Sequence, residues 1–233
     1  MNESNMDDNK NTKQKRNKQS IHLPTSTVRD PNINANDFCL ILYLKYLTWR
    51  SGNRYEFDVS LSELKQFLNI QDNKTLKSSF NNIFREDYII REIKKILPNN
   101  PIRFFLNQKK FDTDSKLDEK FFTYLPINIL YGMKDRKLDR KEVRILYYIK
   151  SYINYSDPKK VYCFTGIEKT MVKELNMGKN TIPKYTDMLV KKNLIRIEKK
   201  KLETSYQYDD EGNLIFTRYN NHYYLDFNSI DKL

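Results

Sequence analysis

The most constraining feature of this sequence is an internal repeat, in which segments of the first half recur in the same order in the second half. The matching segments are Leu23-Pro24 and Leu125-Pro126, Leu42-Tyr43 and Leu146-Tyr147, Ser60/Glu63 and Thr165/Glu168, 68–70 and 175–177, Thr75-Leu76 and Thr181-Ile182, and Tyr88-Ile89 and Leu194-Ile195. Several matched positions carry different residues with the same physical role, so the repeat is structural. The chain is therefore expected to fold as two similar units.

The first unit opens with a helix that is apolar nearly all round, FCLILYLKYLTW, for which Asp37 is the expected N-cap. A short strand at 55–59 follows, and then Ser60 and Glu63 form an expected capping box at the start of a short helix. After a turn at 69–72, a helix is predicted over 73–85. Segments 88–96 and 102–106 then read as a β-hairpin.

The second unit repeats this order. A helix is predicted over 140–155, a strand over 161–164, and a capping box at Thr165 and Glu168. The next helix carries Ile167, Met171, Val172 and Leu175 on its inner face. A helix over 180–191 has Pro183 in its first turn, where the missing N–H costs nothing, and strands follow on both sides of a turn at 209–213.

This order of helix, strand, helix, turn, helix and hairpin is the plan of a winged helix. The predicted fold class is α+β, with two winged-helix domains in tandem. The segment 1–20 has almost no apolar groups and is expected to be a disordered basic arm. The domains are then predicted at 21–111 and 121–233, joined by an acidic linker at 112–120.

The charge of the chain favours a polyanionic partner. Lysine and arginine total 42 against 30 acidic residues, a net charge of +12, and both predicted domains are basic. Cations placed on phosphates release condensed counterions, which favours binding to nucleic acid. A charge that merely keeps the protein soluble, or that attracts an anionic membrane surface, is the alternative.

The predicted DNA-binding residues lie on the third helix of each unit and on the hairpins. A protruding helix that fits the major groove presents polar and basic side chains to base edges, and cations around the tips of the hairpins contact the backbone. The candidates are Lys74, Thr75, Lys77, Ser78, Asn82, Lys94, Lys95 and Arg103 in the first unit, and Lys179, Asn180, Thr181, Lys184, Tyr185, Lys199, Lys200 and Lys201 in the second. The acidic turn Asp209-Asp210-Glu211 is expected to point away from DNA or to contact another protein.

Catalytic and metal-binding patterns are missing from the sequence. It has two histidines and five glycines, and neither a GxxxxGK[ST] nor a GxGxxG motif. Cys39 and Cys163 each sit in an apolar run and are expected in the core. We expect no enzyme activity, no metal and no cofactor, although the 17 tyrosines leave a tyrosine nucleophile open. Without a membrane span or a signal peptide, a cytoplasmic location is expected.

Three segments of the second unit resemble a known family. They are FTYLPINIL at 122–130, VRILYYI at 143–149 and KNTIPKYTDMLVKKNLI at 179–195. In this order they are similar to the winged helix of replication initiators from plasmids of Gram-positive bacteria. The tandem plan also resembles initiators whose two winged helices bind repeated sites at a plasmid origin. This resemblance implies DNA binding and replication initiation.

The expected partner is double-stranded DNA, bound with sequence specificity by a plasmid or phage replication initiator. A winged-helix transcription regulator would use the same surfaces. A protein-interaction adaptor, in which one or both units bind protein, is a third hypothesis. Replication or transcription proteins are compatible partners, a homodimer is left open, and no membrane is expected.

Overall fold

In a computed structural model of the chain we describe residues 19–112, 121–164, 166 and 170–233, and for 202–206 and 215–218 the backbone alone. The helices in this part are α1 Thr25–Val28, α2 Ala35–Arg50, α3 Leu61–Leu68, α4 Asn73–Arg85, α5 Gln108–Phe111, α6 Asn128–Lys134, α7 Arg140–Ser151, α8 Val172–Leu175, α9 Thr181–Lys191 and α10 Phe227–Ile230. The strands are β1 Ser20–Pro24, β2 Glu56–Val59, β3 Ile102–Phe105, β4 Phe122–Pro126, β5 Ile195–Tyr208 and β6 Leu214–Leu225. The fold is mixed α+β, as predicted.

Each half contains the predicted pair of helices joined by a tight turn, α3 with α4 and α8 with α9. Asn69 ends α3 with φ of 50°, and Asn176 ends α8 with the same φ. Asparagine tolerates this left-handed conformation better than most residues. The two asparagines occupy equivalent positions of the repeated segments 68–70 and 175–177, so the repeat read from the sequence is present in the backbone conformation.

The halves are joined by a two-stranded antiparallel sheet made of β1 and β4. Ile21 pairs with Leu125, and Leu23 pairs with Thr123. At the centre of the register His22 pairs with Tyr124, and their rings stack with centroids 4.9 Å apart. The segments that open the two units therefore pair with each other.

One hydrophobic core runs through both halves. Helix α2 packs against α7, and buried residues of both belong to the same cluster. The guanidinium of Arg140 donates to the carbonyls of Leu68 and Asn69, at 2.9 and 2.6 Å, and so caps the end of α3 in the other half. The two segments that were predicted as separate domains, 21–111 and 121–233, thus share one hydrophobic core.

Arg144 of α7 is fully buried in this shared core. Its Nη2 atom donates to the carbonyls of Asp30, at 2.9 Å, and of Glu174, at 3.3 Å, which belong to different halves. Its guanidinium carbon lies 4.7 Å from the ring centroid of Phe38. Burial lowers the pKa of Arg144 to about 10, so the group is charged at neutral pH.

The N-termini of two helices differ from the prediction. Asn34, and not Asp37, is the N-cap of α2, and Asp37 is the third helical residue of a reciprocal capping box with it. Ser60 does cap α3 by accepting the amide of Glu63 at 3.1 Å. The Glu63 carboxylate, however, accepts the Tyr43 hydroxyl at 2.9 Å, which takes it away from the predicted box. The predicted box at Thr165 and Glu168 lies outside the described residues, as do Ile167, 1–18 of the arm and 113–120 of the linker.

The hairpin predicted at 88–96 and 102–106 is present only as one antiparallel bridge between these segments. Strand β3 pairs with β2, while the 88–96 segment contributes an isolated bridge between Ile89 and Leu106. In the second half, β5 pairs along its length with β6, whereas the predicted strand at 161–164 is reduced to a bridge between Cys163 and Tyr223. The predicted helix over 140–155 ends at Ser151. No helix in the described ranges is long and apolar enough to cross a membrane.

Candidate nucleic-acid interface

Helix α4 is held by its apolar face and by its N-cap. Leu76, Phe80 and Ile83 are buried, as the spacing predicts. Asp72 accepts the amides of Lys74 at 3.0 Å and Thr75 at 2.8 Å, and also the Thr75 hydroxyl at 2.8 Å. That hydroxyl is the main reason that the pKa of Asp72 is lowered. The first turn is therefore rigid, and it presents exposed Lys74 and, one turn later, exposed Ser78 to the surface.

Two other candidates on α4 are engaged within the protein. The Nζ atom of Lys77 donates to the Ile93 carbonyl. The Asn82 amide donates to Asp37 Oδ2 at 2.6 Å and to the Asn32 carbonyl at 2.9 Å. Asn82 was expected to be exposed, but it is part of the contact between α4 and the start of α2. The apolar period alone could not show this, because Asn82 lies at the border of the buried face.

Helix α9 presents a more basic first turn. Lys179 and Asn180 just before it and Lys184 within it are exposed, while Thr181 is half-buried and donates its amide to the Gly178 carbonyl at 2.8 Å. Ile182, Thr186 and Leu189 are buried and lie on one face of the helix. Because these residues fix the inner face, Lys184 projects from the opposite side of the helix.

Tyr185 is half-buried beside α7. Its ring centroid lies 5.0 Å from Nζ of Lys141 and 5.8 Å from Nζ of Lys184. A cation over an aromatic face is attracted by the ring quadrupole. The ring of Tyr185 therefore attracts two lysine side chains near the start of α9, and these side chains partly cover the ring.

The three lysines of β5 are exposed, but they do not lie at the tip of the hairpin as predicted. Lys199, Lys200 and Lys201 pair with Asn221, Asn220 and Tyr219 of β6, in the middle of the strands. Consecutive residues of a strand point to opposite faces, so Lys200 projects away from the other two. Nζ of Lys200 lies 3.0 Å from the Glu198 carboxylate. The tip itself carries exposed Asp209, Asp210 and Glu211.

The candidates of the first predicted wing are separated from one another. Lys94 and Lys95 are exposed on the irregular segment after the Ile89 bridge. Arg103 lies on β3 and donates to the Glu56 carboxylate of β2, with Asp58 4.0 Å away. Two acids of the neighbouring strand thus offset the charge of Arg103, which weakens its attraction for phosphate.

Sequence reasoning missed a group of aromatic side chains on β6 and the segment paired with it. The rings of Tyr162 and His222 stack with centroids 4.0 Å apart, and the guanidinium of Arg196 lies 4.3 Å from the centroid of Tyr224. Burial lowers the pKa of His222, with a smaller contribution from Lys200, so its ring is neutral at pH 7. In the sequence, the alternation of Asn220, His222 and Tyr224 could have indicated this group of side chains.

The described ranges hold no group of three or more His, Cys, Asp or Glu side chains that could bind a metal ion. Cys39 and Cys163 are buried, and burial raises the pKa of Cys39 to about 12, which keeps it a neutral thiol. No known protein family matches the sequence, and no curated protein matches it.

Proposed function

We propose that the chain is a sequence-specific double-stranded DNA-binding protein with two winged-helix domains, and that it initiates replication of a plasmid or phage. The observation that carries the proposal is the repeated pair of helices with exposed lysines at the start of each second helix, α4 and α9. This is the arrangement by which a helix-turn-helix unit reads the major groove. The net charge of +12 supports the same partner.

Replication is proposed over transcription because of the three segments at 122–130, 143–149 and 179–195 that resemble plasmid initiators. The adaptor hypothesis has one feature in its favour, the acidic tip at Asp209, Asp210 and Glu211, which would repel phosphate. On a DNA-bound chain this tip would point outward, where a replication protein of basic character could contact it.

Fluorescent duplexes from the gene's own locus test DNA binding, with titrations at several salt concentrations. A specific site should bind about 1000-fold more tightly than random duplex, with a steep loss of affinity as salt rises. Charge reversal of Lys179 and Lys184 together should weaken binding about 100-fold. The pair Lys74 and Lys77 should give a smaller loss, since Lys77 is engaged with Ile93.

Charge reversal of Arg54 and Lys109 is the matched control, because both are exposed and lie outside the predicted faces. Equal losses of affinity in all three double variants would indicate that the binding is only non-specific electrostatic attraction. If every duplex of the locus bound like random DNA, both replication and transcription would be excluded, and an adaptor would remain.

Replication itself is tested with a plasmid that lacks an origin and carries the gene with its flanking DNA. The wild-type gene should maintain this plasmid, and the variant with Lys179 and Lys184 reversed should lose it. Specific binding without maintenance would point to a transcription regulator.

A further inference from the structure

A cleft of about 1110 Å³ opens between the end of the β1–β4 sheet and the carboxyl end of α7. Arg29 of the first half lines it, together with Tyr124, Lys150 and Tyr155 of the second half. A volume of this order suits a small molecule, since ligand sites in proteins measure roughly 300–1000 Å³. Among the described residues that line the cleft none is acidic, whereas Arg29, Lys150 and Lys160 are basic. The cleft is therefore suited to an anion.

Lys150 is the unusual group of the cleft, because its side chain is almost fully buried. The residue is 7% exposed, and its Nζ atom donates to the carbonyl of Ile153 at 3.2 Å. The ring centroids of Tyr124 and Tyr155 lie 4.8 and 5.7 Å from the same atom. Burial lowers the pKa of Lys150, and no carboxylate of the described ranges opposes this effect. An ammonium has three donors, so one that meets a single carbonyl in a buried place lacks acceptors.

Arg29 is held at the same end of α7. Its Nε atom donates to Ser151 Oγ at 3.0 Å, and its Nη2 atom donates to the Ser151 carbonyl at 2.6 Å. Its guanidinium carbon lies 3.7 Å from the ring centroid of Tyr152. These contacts fix the guanidinium and leave its Nη1 atom without a hydrogen bond among the described residues. Both cations also complement the negative end of the α7 dipole, which explains their sign but not the aromatic side chains around them.

Three of those aromatic side chains are exposed. Phe121 is 75% exposed, Tyr155 is 53% exposed and Tyr124 is 44% exposed, and all three line the cleft. A nucleic-acid base stacks on such a ring, while cations beside it bind phosphate. An inorganic anion would use only the cations, and an apolar ligand would use only the rings. A nucleotide uses both.

We infer that this cleft binds a free nucleotide, a nucleoside diphosphate or triphosphate, with its phosphates at Arg29 and Lys150 and its base against the ring of Tyr124 or Tyr155. The inference is independent of the proposed DNA binding, and each can fail without the other. Because both halves line the cleft, the bound nucleotide contacts both of them. It therefore stabilises the folded chain as a whole.

Isothermal titration calorimetry of the full chain tests the inference. The probes are ADP, GDP, CDP and UDP, and the parts of these molecules, the free nucleosides and pyrophosphate, are titrated separately. At least one diphosphate should bind with a Kd below about 1 mM. It should also bind about 10-fold more tightly than its nucleoside or pyrophosphate, because only the whole molecule reaches both the cations and a ring.

Two variants locate the site. Lys150→Met keeps much of the apolar stem and should weaken binding about 20-fold, because the phosphates lose a charged donor. Tyr155→Ala removes an exposed ring and should weaken binding about 10-fold. The matched control is Lys134→Met, which should bind as wild type does. Lys134 ends α6 with its Nζ atom 5.0 Å from the ring centroid of Phe67, outside the cleft.

Four results would overturn the inference. The first is that no diphosphate binds below about 1 mM. The second is that pyrophosphate binds as tightly as the diphosphates, since the rings would then play no part. The third is that wild type and both cleft variants bind equally. The fourth is that random single-stranded or duplex DNA displaces the nucleotide and loses the same affinity in the Lys150 variant, which would assign the cleft to a DNA interface. Should thermal unfolding show that Lys150→Met is misfolded, the exposed Tyr155→Ala variant decides alone.

Discussion

The two halves of the chain have the same helices but distribute their strand pairing differently. In the first half β3 pairs with β2, and Leu106, directly after β3, makes one bridge with Ile89 of the segment after α4. In the second half β6 pairs with β5, the segment after α9, and makes one bridge with Cys163. The last strand is central in both. The last strand of a half can therefore pair mainly with the strand before the helix pair, as in the first half, or with the strand after it, as in the second.

The cause lies in the segment that follows the second helix of each pair. In β5, Ile195 and Ile197 alternate with polar residues and lie opposite Leu225 and Tyr223. An alternating apolar face of this kind stabilises a hairpin. In the equivalent stretch of the first half, Arg91 stands at the position that Ile197 occupies in β5, which interrupts the apolar face. After Ile89 this segment makes no further bridge with the 102–106 segment, and β3 pairs with β2 instead.

A second difference concerns the buried acids at the third position of α2 and of α7. Glu142 is fully buried and accepts Nζ of Lys192 at 2.6 and 2.7 Å. Asp37 is equally buried, but its partner across the helices is the neutral amide of Asn82. Its Oδ1 atom has no hydrogen-bond partner among the described residues. The first half therefore contains the less completely compensated charge.

The largest expected effect comes from the residue that joins the halves. The variant Arg144→Met should lower the free energy of unfolding by about 3 kcal/mol, because the carbonyls of Asp30 and Glu174 lose their donor and Asp37 loses a nearby positive charge. Urea denaturation measures this change. The exposed Arg54→Met is the control, with an expected change below about 0.5 kcal/mol.

Both proteins should unfold in a single transition, since the halves share one core. Two separate transitions in wild type would show that the halves unfold independently, which would contradict the shared core. A loss below about 1 kcal/mol in the Arg144 variant would mean that the bonds to Asp30 and Glu174 contribute little.

A smaller and equal effect is expected at the two equivalent turns. Asn69→Ala and Asn176→Ala should each cost about 1 kcal/mol, because alanine resists a φ of 50°. Glycine at either position removes this steric cost and serves as the control. Thermal unfolding of the four variants provides the measurement. A turn that tolerated alanine as well as glycine would not be equivalent to its partner.

The smallest expected effect is a change of stability with pH that arises from the buried acid Asp37. Burial raises the pKa of Asp37 above its usual 3.8, so the folded state holds that proton more tightly than the unfolded state. This contribution to stability is present below pH 3.8 and is lost as the pH rises through the folded pKa. Asp37→Asn removes the titration.

The stability of Asp37→Asn relative to wild type should therefore be higher at pH 7 than at pH 4, as measured by urea denaturation at both values. Asp58→Asn, at an exposed position of β2, is the control and should show little such trend. A relative stability that was the same at the two pH values would indicate that the Asp37 carboxylate is fully compensated by its hydrogen bonds.

Helix positions were predictable from the sequence because they follow from local patterns. The limits of α4 agree with the prediction at both ends, and those of α9 within one residue. Strand partners were less predictable, since α3 and α4 separate β2 from β3 in the chain and the alternation of a strand does not identify its partner. The pairing of β1 with β4 was beyond reach for the same reason, although the repeated Leu-Pro had already marked both strands.

The candidate interface was predictable as far as helix faces go. The exposure of Lys74 and Lys184 follows from the apolar period of their helices, and Lys179 is exposed just before α9. The engagement of Asn82 with Asp37 and of Arg103 with Glu56 depends on tertiary contacts that no local pattern contains. The mid-strand position of Lys199 to Lys201 could be predicted only from the length of β5, which the polar run at 198–201 obscured.

The register of β1 against β4 also sets an order of events during synthesis. Ile21 and Leu23 are buried beside partners on β4, which the chain reaches only after the rest of the first half. Closing so long a loop costs entropy before any contact is gained. While the ribosome makes residues 25–121, the apolar side chains of β1 have no partner strand. The first half should therefore complete its folding only after Leu125 has emerged, which makes the newly made amino-terminal half a natural client for chaperones.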